Sequence, residues 1–208
     1  MIWTDYIPED IRELYEVHDY RHAAAILAKE LPDEFSDICT ALRAFTLTKS
    51  DILDPGGNES RIPKKISTIL RPLEWHAQRL TAKLVVDDKP VSQDTHTVDY
   101  LKGRVAFDLE WNSKDQTFDR DLYAFRSFFD FGRISVGVLL TRSNRLDPVF
   151  AKLGLIKDRY GTERQVKAKY GASTTHMGKL LPRLDSGRNG GCPVLALGIT
   201  PKLIKDAL

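Results

Sequence analysis

Val105-Ala106-Phe107-Asp108-Leu109-Glu110-Trp111 is the stretch whose reading decides the fold. Its side chains alternate with period two, the signature of a β-strand. Val105, Phe107, Leu109 and Trp111 share one face, and Ala106, Asp108 and Glu110 share the other. Two carboxylates therefore point the same way, about 6 to 7 Å apart at Cα from the rise per residue. Like charges at that spacing repel unless something positive lies beside them. A hard divalent cation does this well, because Mg²⁺ takes oxygen ligands and is commonly bound by one or two carboxylates. Asp99 stands nine residues before Asp108, and a turn at Lys102-Gly103 would bring it back to the same place. An acid-x-acid pair is common by chance, and a half-exposed strand with a solvated acidic face would show the same spacing. The context favours a site, since strongly apolar residues flank the acids.

Outward from the strand, Phe118 to Phe129 reads as an aromatic-rich helix, and Ile134 to Thr141 as a buried strand. Strand, helix and strand in succession imply a crossover and an α/β core. Pro193 to Thr200 reads as a last buried strand before a short C-terminal helix. Upstream, Asp19 to Leu31 is Ala-rich at helical spacing with Asp19 as its N-cap, and Asp33 to Phe45 is a second amphipathic helix after Pro32. Leu53 to Asn58 is a loop by its Pro and Gly content. Lys64 to Leu84 looks helical with a break at Pro72, and polar Asp87 to Thr97 looks like a loop. The expected organisation is one domain over residues 1–208: a helical front (1–85), a sheet core carrying the acids (95–145) and a basic C-terminal part (150–208).

Composition limits the function. The chain has 208 residues, 42% hydrophobic and 29% charged, which is ordinary for a folded domain and argues against disorder. Two cysteines, Cys39 and Cys192, are too few for a disulfide framework and fit a reducing cytoplasm, as small core residues. No apolar run approaches the 18 or so residues that span a bilayer, and no signal-peptide pattern opens the chain. The net charge of +2 hides an asymmetry: the front is acidic, and the chain from Lys152 onward is basic, which points to an anionic partner there. His18 and His22 would share a helix face but lack a third metal ligand. Thr174 to Lys179 only faintly resembles a phosphate loop. Gly171 is misplaced and Leu180 stands where Ser or Thr is needed, so no nucleotide cofactor is expected. Phe118, Tyr123, Phe125, Phe128, Phe129 and Phe131 read as core rather than as a base-stacking platform.

The order of these segments resembles the BglII-like and BstYI-like type II restriction endonucleases of the PD-(D/E)xK nuclease superfamily. Asp99-Tyr100-Leu101-Lys102-Gly103-Arg104-Val105-Ala106-Phe107-Asp108-Leu109-Glu110 is similar to their metal-site segment. Asp19 to Ala23 resembles the opening helix, Asp51 to Asn58 a loop that approaches DNA, and Pro193 to Pro201 the closing strand. The resemblance implies a restriction-endonuclease-like α/β fold, a central mixed β-sheet flanked by helices. It implies a cytoplasmic, Mg²⁺-dependent enzyme that hydrolyses double-stranded DNA at specific sequences, leaves 5′-phosphates and works as a homodimer. The helices expected at Asp19–Leu31 and Lys64–Leu84 are candidates for the dimer contact. Asp99 and Asp108 would be metal ligands with the Leu109 carbonyl, and Glu110 would take the third catalytic place. Relatives carry Gln there and much of the superfamily Lys. A Glu could instead ligate a second Mg²⁺ or orient the attacking water.

Base and phosphate contacts need cations, amides and polar side chains near the duplex. Lys49, Ser50 and Asn58 sit in or beside the front loop. Ser113, Lys114 and Gln116 follow the acidic strand. Ser186, Arg188 and Asn189 lie in a Gly-rich stretch, and Lys179 offers a phosphate contact. Two other readings share these residues. One is a repair or junction nuclease of the same superfamily, and the other is a DNA-binding module with a dead metal site.

Overall fold

Eight strands and nine helices, counted among the described residues, are arranged around one six-stranded mixed sheet. The computed structural model describes residues 2–53, 60–157 and 161–205. The strands are β1 (Tyr15–Tyr20), β2 (His76–Val86), β3 (Lys89–Lys102), β4 (Val105–Glu110), β5 (Val136–Arg142), β6 (Leu155–Lys157), β7 (Glu163–Gln165) and β8 (Val194–Ile199). The helices are α1 (Glu9–Leu14), α2 (Ala23–Glu30), α3 (Pro32–Ala44), α4 (Lys49–Leu53), α5 (Arg61–Leu70), α6 (Thr117–Asp130), α7 (Asp147–Lys152), α8 (Val166–Lys169) and α9 (Met177–Asp185).

The sheet runs β1-β8-β5-β4-β3-β2. Its centre, β8-β5-β4, is parallel, and both sides finish in antiparallel pairs. Parallel strands are covered on both faces, which is why β4, β5 and β8 are buried at every position. Val105, Phe107 and Leu109 pack with Val138, Leu140, Leu195 and Leu197 against the front helices α2, α3 and α5. Ala106, Leu139 and Ala196 pack on the other face against α6 and α9. Helices therefore flank a central mixed sheet, as the sequence led us to expect. Gly137 on β5 lets α6 come close: a Cβ there would lie 2.4 Å from the Phe125 ring. Both cysteines are buried and free. Of the aromatics on and beside α6, Phe118, Phe125 and Phe128 are core, whereas Tyr123 and Phe131 are exposed.

Several expectations need correction. Asp19 and Tyr20, expected to open the helix Asp19–Leu31, instead end β1, because Tyr15 to Tyr20 pair antiparallel with Ile199 to Val194. The helix begins only at Ala23, after Arg21 and His22 turn the chain with φ of 56° and 63°. Asp19 still serves the helix start, accepting the Ala24 N–H at 2.7 Å. His18 and His22 thus share no helix face, and His18 instead bonds Glu16 at 2.9 Å. The helix expected over Lys64–Leu84 stops at Leu70. A 3₁₀ turn holds Pro72, and Glu74 (φ 67°) redirects the chain into β2. The loop expected over Asp87–Thr97 is mostly β3: Asp87 and Asp88, with φ of 49° and 60°, make a tight hairpin turn between β2 and β3. A two-stranded ribbon is held by backbone pairing and has no obligatory apolar face, so polar sequence forms it without alternation. The front is accordingly not all helical, and where a C-terminal helix is expected the described residues form a 3₁₀ turn at Pro201–Leu203. Among the described residues no helix is long and apolar enough to cross a membrane.

Candidate active site

The β3–β4 hairpin turns at Gly103, whose φ of 51° suits glycine, and Arg104. Lys102 pairs with Val105, Leu101 with Ala106 and Tyr100 with Phe107, so the next positions in line are Asp99 and Asp108. There the ladder gives way to side chains. The Asp99 N–H donates to Asp108 Oδ1 at 2.5 Å, and the Leu109 N–H donates to Asp99 Oδ2 at 3.3 Å. Two acids nine residues apart are thereby fixed side by side. Lys102 also donates to Asp37 on α3 at 2.7 Å, which ties the base of the hairpin to the front helices.

Asp108 and Glu110 face α6 and are 3% and 8% exposed, so no solvated acidic face exists. Asp108 Oδ2 and Glu110 Oε2 are buried without a hydrogen-bond partner. A third buried acid joins them from α6: Asp121 is 3% exposed, and its Oδ2 is also unpartnered. The nearby cation is Arg120, with Nε 3.6 Å from Asp121 Oδ1 and Nη2 4.0 Å from Glu110 Oε1. One cation at those distances does not neutralise the three buried carboxylates of Asp108, Glu110 and Asp121. Burial, and then the Asp99 charge, pushes the Asp108 carboxyl well above the usual range. Asp121 is pushed up to about 10 by burial and by Asp108 and Glu110. Asp99 opens on one side to solvent, yet the protein packed around its carboxyl strips part of its hydration. That loss, with Glu110 adding to it, raises its pKa as well.

Asp99 opens into a cleft of about 490 Å³ whose wall, from α5 and the turn after it, carries Lys64 and Arg71. The oxygen donors suit a hard cation, and the unpartnered oxygens are what such an ion would satisfy. Among the described residues no three His, Cys, Asp or Glu side chains form a ready metal cage. Any ion here would complete its shell with backbone oxygen, water or phosphate.

The residues expected to touch DNA fall into separate groups. Lys49 and Ser50 are exposed at the start of α4, where Ser50 Oγ accepts from Arg61 at 3.3 Å. Asn58 lies outside the described residues. The segment after β4 is braced from the far end of the chain. The Ser113 N–H donates to Thr175 Oγ1 at 3.2 Å, its carbonyl accepts from the Thr175 N–H at 2.9 Å, and Lys114 bridges to Thr174. The side chains of Lys114 and Gln116 stay exposed. Lys179 (3.8 Å from Asp115) and Arg188 (paired with Asp119) edge an open cleft of about 410 Å³ beside the start of α6. Ser186 is exposed, its hydroxyl donating to the Arg183 carbonyl at 3.0 Å. Asn189 is the exception: it is 2% exposed and donates to the Cys192 carbonyl at 2.7 Å, so it shapes the turn rather than reaching a ligand. Asp121, Arg120, Lys64 and Arg71 escaped the sequence reading. Asp121 did leave a signal, an acid on the stripe Phe118, Asp121, Leu122, Phe125, Phe128 that α6 turns inward.

No curated protein matches the chain. The family model described as restriction endonuclease BglII/BglIII matches residues 15–199, from the first residue of β1 to the last of β8. The match therefore takes in the whole sheet, the carboxylate cluster and the surfaces that flank it. The chain belongs to the BglII/BglIII restriction endonuclease family, and with it to the type II site-specific deoxyribonucleases that act on double-stranded DNA.

Proposed function

We propose that this protein hydrolyses phosphodiesters of a specific double-stranded DNA sequence with Mg²⁺, leaving 5′-phosphates. The observation that carries the reading is the set of buried carboxylates with unpartnered oxygens, placed beside a cleft walled by Lys64 and Arg71. Asp99 and Asp108 would hold the ion, with the Leu109 carbonyl as a further donor. When bound, Mg²⁺ supplies positive charge to the scissile phosphate and makes a neighbouring water more acidic. Glu110 orients that water for in-line attack. Lys64 and Arg71 attract the phosphate backbone into the cleft and position it, without reading sequence. Lys114, Gln116 and Arg188 are the exposed side chains assigned to base edges, Arg188 as a bidentate partner for guanine. The whole chain acts as one domain, and a two-fold dimer matches a two-fold DNA site, each subunit cutting one strand.

Digestion of a plasmid of known sequence with Mg²⁺, followed by mapping of the fragment ends, tests this. Discrete fragments with 5′-phosphates are expected. Cutting at branched structures alone would instead identify a junction or repair nuclease, and binding without cutting an inactive DNA-binding protein. Asp108→Ala should abolish cleavage and leave duplex binding largely intact. Cleavage retained by this variant would remove the assignment.

A further inference from the structure

We propose that Asp121 on α6, together with Glu110, binds a second divalent cation beside the one assigned to Asp99 and Asp108. The inference rests on the metal-dependent reading above and adds to it a ligand from outside the β3–β4 hairpin. Three observations carry it.

Asp121 has no structural reason to be ionisable. It occupies the inward stripe of α6 among Phe118, Leu122, Phe125 and Phe128, where an apolar residue would pack without cost. A buried carboxylate is expensive unless something satisfies it. Its Oδ2 nevertheless lacks a hydrogen-bond partner, Arg120 Nε stands 3.6 Å from its Oδ1, beyond hydrogen-bond length, and its other polar neighbour is a second carboxyl, that of Glu110.

The acids are also arranged in pairs. Asp99 and Asp108 are joined through the backbone amides of the hairpin. Glu110 lies two residues further along β4, beyond that frame, and its side chain meets that of Asp121. Among the described residues no three acidic side chains converge as a single cage, so each of the two ions in this proposal takes one of the two pairs. Mg²⁺ is content with one or two carboxylates, and paired ions in phosphodiester-cleaving sites sit about 3.5 to 4 Å apart.

Finally, the nearby positive charge is replaceable. Arg120 spans Glu110 and Asp121 with a side chain 48% exposed to solvent. It can swing outward when a denser charge arrives. Glu110 has two oxygens, so its Oε2 can ligate while Oε1 stays available to water.

Titrating the full chain with Mn²⁺, and following free Mn²⁺ by electron paramagnetic resonance, counts the ions without reference to cleavage. Two per wild-type chain are expected. Asp121→Asn and Asp121→Leu should each bind one, with the affinity of the second ion reduced at least tenfold, and circular dichroism checks their folding. The leucine variant guards against an asparagine that folds poorly, because it suits the apolar stripe. Glu110→Gln should lose the same ion as the Asp121 variants, and Asp108→Asn should lose the other. Two ions in both Asp121 variants, or one ion in the wild type and in these variants alike, would overturn the inference and leave the Asp99–Asp108 assignment standing. No Mn²⁺ bound by the wild type would instead overturn the metal-dependent reading itself, and this inference with it.

Discussion

Replacing Arg142 by methionine removes a buried guanidinium while keeping its length and its contact with the aromatic rings. Arg142 ends β5 and is 1% exposed. It pairs with Asp147 at 3.1 Å and donates to the Tyr170 carbonyl at 3.1 Å and Thr174 Oγ1 at 2.9 Å. Its carbon Cζ lies 5.6 Å and 5.7 Å from the Phe150 and Tyr170 ring centroids. Breaking a buried ion pair from one side costs about 3 to 5 kcal/mol. Asp147 is 45% exposed and can regain water, and burying Nε without a partner is itself unfavourable in the wild type, so both considerations lower the cost. A net loss of about 3 kcal/mol follows, since two bonds to a charged donor are worth roughly 1.5 to 3 kcal/mol each before these offsets. For a chain of this size that is a fall in Tm of about 6 to 12 °C. The damage should spread along a defined path. Arg142 holds Tyr170 and Thr174, and the latter residue and Thr175 brace Ser113 and Lys114, so DNA affinity should fall more than the cleavage rate of bound DNA. Calorimetric melting and single-turnover cleavage at saturating enzyme give the two readings. A variant that melts at or above the wild-type temperature would refute the reasoning, because the guanidinium would then be no better than a hydrophobic filler.

Other outcomes follow from single contacts. In chelator, Asp121 takes up a proton on folding, because its folded value of about 10 lies above the ordinary 3.8. Wild-type stability should therefore fall as pH rises from about 4 toward 10, and Asp121→Asn should flatten that slope in urea melts run from pH 5 to 8.5. Glu16 works in the opposite sense: its hydrogen bond from His18 outweighs burial and, with Ser143, holds it below the usual carboxyl range. Its contribution is present above that range and lost as pH falls through the folded value, so Glu16→Gln should reduce the loss of Tm on acidification. Gly137→Ala should cost about 1 to 3 kcal/mol by driving a methyl group into the Phe125 ring, measurable as a lower urea midpoint. Arg71→Gln should weaken duplex binding for all sequences alike and reduce the slope of log K against log salt by about one.

The parts of this molecule legible in its sequence are those where burial imposes a period. β4, β5 and β8 stand out as apolar or alternating runs, and α3 and α6 as amphipathic helices, because each presents a face to a core. The ribbon of β2 and β3 does not, since its polar stretches are ordered by backbone pairing, which leaves no period in the sequence. β1 was hidden for a different reason: its order comes from pairing with β8, about 180 residues away, which no local window contains. In the site, the hairpin acids stand out by their spacing, because one tight turn sets Asp99 beside Asp108 and the same strand face carries Glu110 two residues further on. Asp121 comes from a separate helix, and only its odd place on an aromatic stripe marks it. Asn189 misled in the other direction: glycine-rich surroundings suggested an open loop, whereas its side chain folds inward to close the turn.

The strand that carries the acids is also a central beam of the protein, flanked by β3 and β5 and clasped between two layers of helices. Its chemistry can hardly be altered without harm to folding. Lys114, Gln116 and Arg188 lie outside that beam with their side chains in water, and a change there disturbs little packing. If those side chains read the bases as proposed, target preference can change at the periphery while the buried carboxylate cluster stays fixed.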